Sequence, residues 1–148
     1  MNTRTLCLLA GALLLAPGAW AQNAGPVGLW KSVDDVSGKP RALVRISESN
    51  GEFIGKIEKL FVDKNADPAP LCTPCKGSKK DQAVIGMTIL EGLTFDGAAY
   101  SGGKLLDPEM GTVYKGKVTM LENGKKLSMR GYVGLPMFGR SQTWIRQE

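Results

Sequence analysis

From residue 27 to the C-terminus the sequence sustains no helical period. It breaks instead into short runs of alternating apolar and polar residues, separated by glycine-bearing turns. Eight such runs, 27–31, 41–48, 53–61, 84–90, 99–106, 112–121, 127–133 and 141–146, read as strands. In the second, Ala42, Val44 and Ile46 share one face; in the third, Phe53, Gly55 and Ile57 do. Tyr114, Gly116, Val118 and Met120 alternate with Lys115, Lys117 and Thr119, and Leu127, Met129, Gly131 and Val133 with Ser128, Arg130 and Tyr132. Successive side chains of a strand point to opposite faces, so these runs bury one face and wet the other, as antiparallel sheet does. Four connections, Ser49-Asn50-Gly51-Glu52, Phe95-Asp96-Gly97, Asp107-Pro108-Glu109-Met110-Gly111 and Glu122-Asn123-Gly124-Lys125, carry residues that start turns or accept positive φ. Eight consecutive strands of this kind predict an all-β, eight-stranded antiparallel up-and-down barrel, which leaves no open edge; a β-sandwich is the alternative closure. Gly55, Gly116 and Gly131, inside strands, suit the sharp bends of a small barrel.

The first residues have a different purpose. Arg4 precedes an apolar run from Leu6 to Ala16, Pro17-Gly18 breaks it, and Ala19-Trp20-Ala21 supplies small residues where a signal peptidase reads. Residues 1–21 therefore read as a signal peptide cleaved after Ala21, and the protein as periplasmic or secreted. The run is too short for a membrane span, and Cys7 sits at its start, not after small residues at its end, which argues against a lipid-modified cysteine. The remainder, 22–148, suits one domain. Cleavage removes one charge, taking the net charge from +5 to +4. The lysines and arginines are scattered, so solvated faces explain them better than a nucleic-acid patch, and neither nucleic acid nor stable membrane insertion is expected. The chain has no histidine, which removes the commonest general base and metal ligand and with them the His-assisted serine and cysteine hydrolases.

Residues 62–83 stand apart, with three prolines, no periodicity, the basic trio Lys76, Lys79 and Lys80, and the two cysteines of the processed chain, Cys72 and Cys75. Cys72-Thr73-Pro74-Cys75 looks like a thioredoxin-type redox pair, but no βαβ unit or helix start surrounds it to lower a thiol pKa. A zinc site would need two further ligands, and no other cysteine or histidine follows the leader. A plain disulfide of an exported protein is the first reading, with redox exchange and metal binding behind it. Asp63-Lys64-Asn65-Ala66-Asp67 imitates the start of a calcium loop, but proline stands at the sixth and twelfth positions (Pro68 and Pro74), so the ligand ring cannot close. No metal and no cofactor is expected.

Gly28-Leu29-Trp30 and Trp144-Ile145-Arg146 open and close the barrel, whose first and last strands must be neighbours. Arg146 can then lie across Trp30 as a structural cation–π closure, an arrangement that resembles the signature of lipocalins and their relatives. Further residues extend the likeness: Asp34-Asp35 with Gly38-Lys39-Pro40, Gly55-Lys56-Ile57, Cys72-Thr73-Pro74-Cys75-Lys76-Gly77, Ile85-Gly86-Met87, Gly102-Gly103-Lys104, Asp107-Pro108-Glu109, Gly111-Thr112-Val113-Tyr114, Arg130-Gly131-Tyr132-Val133-Gly134, and the block from Phe138-Gly139-Arg140 through Ser141-Gln142-Thr143 to Trp144-Ile145-Arg146. Together these resemble the DUF2147 family of uncharacterised bacterial proteins over nearly the whole chain after the leader. Thr112 departs from the pattern, where a lysine is expected ahead of the tyrosine. The resemblance implies a lipocalin-like barrel outside the cytoplasm and no particular reaction.

An eight-stranded barrel has room for one small ligand. The expected function is binding of a small hydrophobic or amphipathic molecule inside the barrel, not catalysis. Tyr114, Arg130, Tyr132, Arg140 and Trp144 are the candidate contacts, and the 62–83 connection is expected to border the entrance. The rivals are a barrel filled by its own side chains, with a structural or interaction role, and a redox partner using Cys72 and Cys75.

Overall fold

Asn50 and Gly51 both take positive φ, 52° and 79°, the mirror-image turn whose twist matches that of the flanking strands. They join β2 (Pro40–Ser49) to β3 (Glu52–Leu60) in a ladder from Ser49↔Glu52 to Ala42↔Leu60. The computed structural model describes residues 25–148, and the expected leader lies outside the described residues. The remaining strands are β1 (Gly28–Val33), β4 (Thr88–Phe95), β5 (Tyr100–Asp107), β6 (Thr112–Leu121), β7 (Lys126–Tyr132) and β8 (Arg140–Arg146). Each pairs antiparallel with its sequence neighbour, and β1 pairs with β8 through Trp30↔Arg146, Lys31↔Ile145 and Ser32↔Trp144. The sheet is therefore a closed eight-stranded up-and-down barrel, not a sandwich.

The alternation read in the sequence sets the inward faces. Ala42, Val44 and Ile46 of β2, Phe53 and Ile57 of β3, and Leu127 and Met129 of β7 are all buried. They meet Trp30, Leu90, Leu93 and Val118 in one continuous core.

One strand lies elsewhere than expected. The apolar run 84–90 predicts the fourth strand, but β4 begins at Thr88 and runs on to Phe95. Residues 84–87 fold as a turn: the Met87 N–H donates to the Val84 carbonyl (3.2 Å) and the Gly86 N–H to the Ile57 carbonyl (2.7 Å). Val84 and Met87 are nonetheless buried. A buried turn and a buried strand are equally apolar, and alternation cannot separate them over so few residues.

The β4–β5 turn carries a pH-dependent contribution to stability. Asp96 accepts the N–H groups of Ala98 (3.0 Å) and Ala99 (2.8 Å) and the hydroxyl of Ser101 (2.8 Å). These donors, the Ala99 N–H foremost, push its carboxyl from 3.8 down to about 2. A carboxyl depressed in the folded state stabilises fully above its unfolded pKa, and that stabilisation is lost as pH falls through the folded value. Asp34, held down mainly by the Ser37 N–H and hydroxyl, and Asp35, held down by Arg140, act in the same direction. Thermal melts followed by circular dichroism should show Tm falling between about pH 4 and pH 2. Asp96→Ala should start lower at neutral pH and lose less across that window; an unchanged pH slope in the variant would refute the assignment.

Candidate functional site

The two ends of the barrel are built differently. At one end the chain enters through residues 25–27, beside the β2–β3, β4–β5 and β6–β7 turns. Trp30 is completely buried there, and its indole N–H donates to the Pro26 carbonyl at 2.7 Å. The Arg146 guanidinium carbon lies 4.3 Å from the Trp30 ring centroid. The same guanidinium donates to the carbonyls of Gly25 (2.6 Å), Val27 (2.8 Å) and Gly124 (2.6 Å). One side chain thus ties the entering segment, the β6–β7 turn and the last strand to the tryptophan face. Above it Ile46, Leu90, Leu93, Val118 and Leu127 are all at most 1% exposed and fill this half of the barrel.

The other end holds a cavity of about 640 Å³, within the size range of small-molecule sites. Its depth is apolar, formed by Val44, Ile57, Ile89, Leu105, Met129 and Trp144. It runs out to exposed side chains at Leu71, Val133 and Phe138, and so reaches solvent at this end. Gly131, where any larger residue would meet Leu105 and Tyr114 at 3.4 Å, keeps one wall low.

The long β3–β4 connection forms the roof, contributing Val62, Pro70, Leu71, Thr73 and Pro74 to the lining. It is a folded flap. The Cys72 N–H donates to the Gln82 carbonyl (2.8 Å), the Val84 N–H to the Pro70 carbonyl (3.0 Å), and Leu71 bridges to Ala83. Cys72 and Cys75 form a disulfide, with Cα atoms 5.3 Å apart, at most 3% exposed. The bond closes a tight loop within the flap, whose underside packs on the β5–β6 turn, with Cys72 Sγ 3.2 Å from the Pro108 carbonyl oxygen.

Four of the five expected contact residues line this cavity: Tyr114, Tyr132, Arg140 and Trp144. Trp144 is nearly fully buried, its indole N–H facing the side-chain amide oxygen Oε1 of Gln142 at 3.4 Å. Arg130 does not join them. Its position in β7 alternates with the inward Met129 and Gly131, and its guanidinium donates to the Pro136 carbonyl (2.7 Å) and the Ser141 hydroxyl (2.8 Å), bracing the β7–β8 turn. Of the apolar-face residues of β6 and β7, Met129 lines the cavity, while Gly116 and Met120 lie outside its lining.

The rim adds charged residues that the strand pattern did not single out. Arg140 makes a two-pronged contact with Asp35, both distances 2.6 Å, linking β8 to the β1–β2 turn. Arg41 pairs with Asp34 at 3.7 Å and reaches Glu109 in the β5–β6 turn. In ring order the β1–β2 and β5–β6 turns stand opposite each other, so the Arg41–Glu109 pair crosses the opening. Asp107 turns inward at the same turn and accepts the N–H groups of Glu109 (2.9 Å) and Met110 (3.3 Å). The arrangement suits an apolar body in the depth and a polar group at the rim.

Comparison with known proteins places these features in a family. The family model described as "Uncharacterized protein conserved in bacteria (DUF2147)" matches residues 28–146. No curated protein matches the sequence. Among solved structures, HP1028 from the human pathogen Helicobacter pylori, described as belonging to the lipocalin family, is similar over 82% of each chain, with a TM-score of 0.68 and 22% identity. At that identity the likeness is one of fold.

Proposed function

The chain belongs to the DUF2147 family of uncharacterised bacterial proteins, and from that premise and its lipocalin-like barrel we propose that it is an exported binding protein that takes a small, partly apolar molecule into the mouth of the barrel. The observation that carries this reading is the cavity itself: about 640 Å³ with an apolar floor and a polar rim, in a barrel whose opposite half is solid. A filled barrel would have Trp30-like packing at both ends. Export rests on the leader read at 1–21, and a buried disulfide suits an oxidising compartment. The burial of both sulfurs weighs against redox exchange, which needs an attacking thiolate to reach one of them. Tyr114, Tyr132, Arg140 and Trp144 are the proposed contacts.

Native mass spectrometry of protein purified from the cells that export it, before and after denaturation, tests the reading. We expect a mass excess of a small molecule on the native protein that disappears on unfolding. A native mass equal to that of chain 22–148, together with no uptake of any apolar probe, would refute it.

A further inference from the structure

The cavity's charge runs against that of the chain. The sequence carries 13 lysines and 6 arginines against 14 acids, for a net charge of +5, yet no lysine lines the cavity. The charged lining is Asp34, Asp107 and Glu109 against Arg41 and Arg140. Both guanidiniums are already engaged, Arg140 by both oxygens of Asp35 and Arg41 by Asp34 and Glu109. Asp107 has no cationic partner within ion-pair distance among the described residues, its carboxylate being turned to two backbone N–H groups. Lys80 approaches the roof and is taken up by the Thr73 carbonyl (3.1 Å) and Asp81 (3.8 Å).

Resting on the reading of this cavity as a binding site, we infer that its ligand is a cationic amphiphile, whose apolar body enters beneath the roof and whose positively charged nitrogen group sits at the rim among Asp34, Asp107 and Glu109. An anionic headgroup arriving there meets surplus carboxylate and no free guanidinium. An ammonium meets Asp107 directly and can compete with Arg41 for Glu109, whose exposed side chain is free to turn. Tyr114, Tyr132 and Trp144 line the same space and offer aromatic faces, which attract organic cations; the Phe61 ring beside them is already taken by the Lys59 ammonium, 5.2 Å from its centroid. A bare metal ion is not the fit, since no three of the carboxylates come together as a metal-holding group among the described residues. The rim is partly exposed, so each ion pair is worth little and the preference is the sum of several weak attractions.

Calorimetric titration of the folded, processed protein with three ten-carbon probes, decyltrimethylammonium, 1-decanol and decanoate, tests this at neutral pH, low salt and concentrations below micelle formation. We expect the ammonium to bind tightest and decanoate weakest, with about tenfold between them, a gap that narrows as salt is raised. The double variant Asp107→Asn, Glu109→Gln, which keeps the turn's acceptor and leaves Arg41 paired with Asp34 alone, should close the gap. Its fold is checked by circular dichroism, and Glu109→Gln alone, at an exposed position, serves if the pair is unstable. Equal binding of all three probes, or tighter binding of decanoate, overturns the cationic headgroup and leaves the cavity reading standing. Binding of none of them overturns both.

Discussion

Replacing Trp30 with alanine should destabilise the protein by about 3–5 kcal/mol, the largest loss expected of any single substitution at the solid end. Trp30 is fully buried, and its removal opens a hole that surrounding strands cannot close, because they are fixed to one another around the ring. The variant loses more than volume. The Pro26 carbonyl loses its indole donor, and Arg146 loses the aromatic face at 4.3 Å while keeping its three carbonyl contacts. Arg146→Lys separates the two contributions, since a single ammonium cannot reach three carbonyls in the fork geometry of a guanidinium. Chemical denaturation is the measurement. A loss under about 1 kcal/mol for Trp30→Ala would mean that this end is not closed by packing, since truncating a well-packed core aromatic costs far more. Affinity for a bound probe should change little in whatever fraction remains folded, because the cavity lies at the other end and Trp30 does not line it.

The barrel was legible because its determinants are local. Alternation in β2, β3, β6 and β7, and turns such as Asn50-Gly51, each act within a few residues. Closure was legible because only one pairing, first strand with last, completes an up-and-down ring, which also brings Trp30 to Arg146. β4 was misplaced because the turn at 84–87 is buried under the roof and as apolar as a strand. In the cavity, Arg140 and Trp144 share a parity in β8, while Arg130 and Tyr132 both fall on the polar parity of β7; the alternation already set Arg130 apart from the inward face, whereas Tyr132 lines the mouth against its parity because it ends its strand at the rim. Asp107 and Glu109 read as turn residues, Arg41 as the start of a strand and Asp34 as part of the family pattern, so none of the four stood out as lining a site. Topology held the missing signal: in an up-and-down barrel the odd-numbered connections all open at one end, so the 34–39, 61–87, 107–111 and 133–139 segments must surround one mouth. The pairing of Arg41 with Glu109, 68 residues apart, is a product of that ring and has no trace in local spacing.

Replacing Gly111 with alanine should loosen the roof while leaving the barrel folded. Gly111 sits at the β5–β6 turn with φ of +66°, and an added Cβ would stand 2.2 Å from the Pro74 carbonyl oxygen and 3.0 Å from the Cys75 nitrogen. The backbone conformation alone costs an alanine about 1–3 kcal/mol. The steric conflict adds to it, and since both contacts are with backbone atoms neither can be relieved by a rotamer change. The flap cannot absorb the push internally, because the disulfide and the Cys72–Gln82 and Pro70–Val84 hydrogen bonds make it a stiff unit. It must therefore lift from the turn as a body, carrying Thr73 and Pro74 away from the cavity. The strands beneath are paired independently of the flap, so their ladder persists. Limited proteolysis should then cut the variant within 61–87 faster than the parent protein, and decyltrimethylammonium should bind more weakly and leave faster. The disulfide should become easier to reduce, since lifting the flap exposes sulfurs that are buried in the parent. Unchanged proteolysis and unchanged probe binding together would show that the flap does not form the roof of the site.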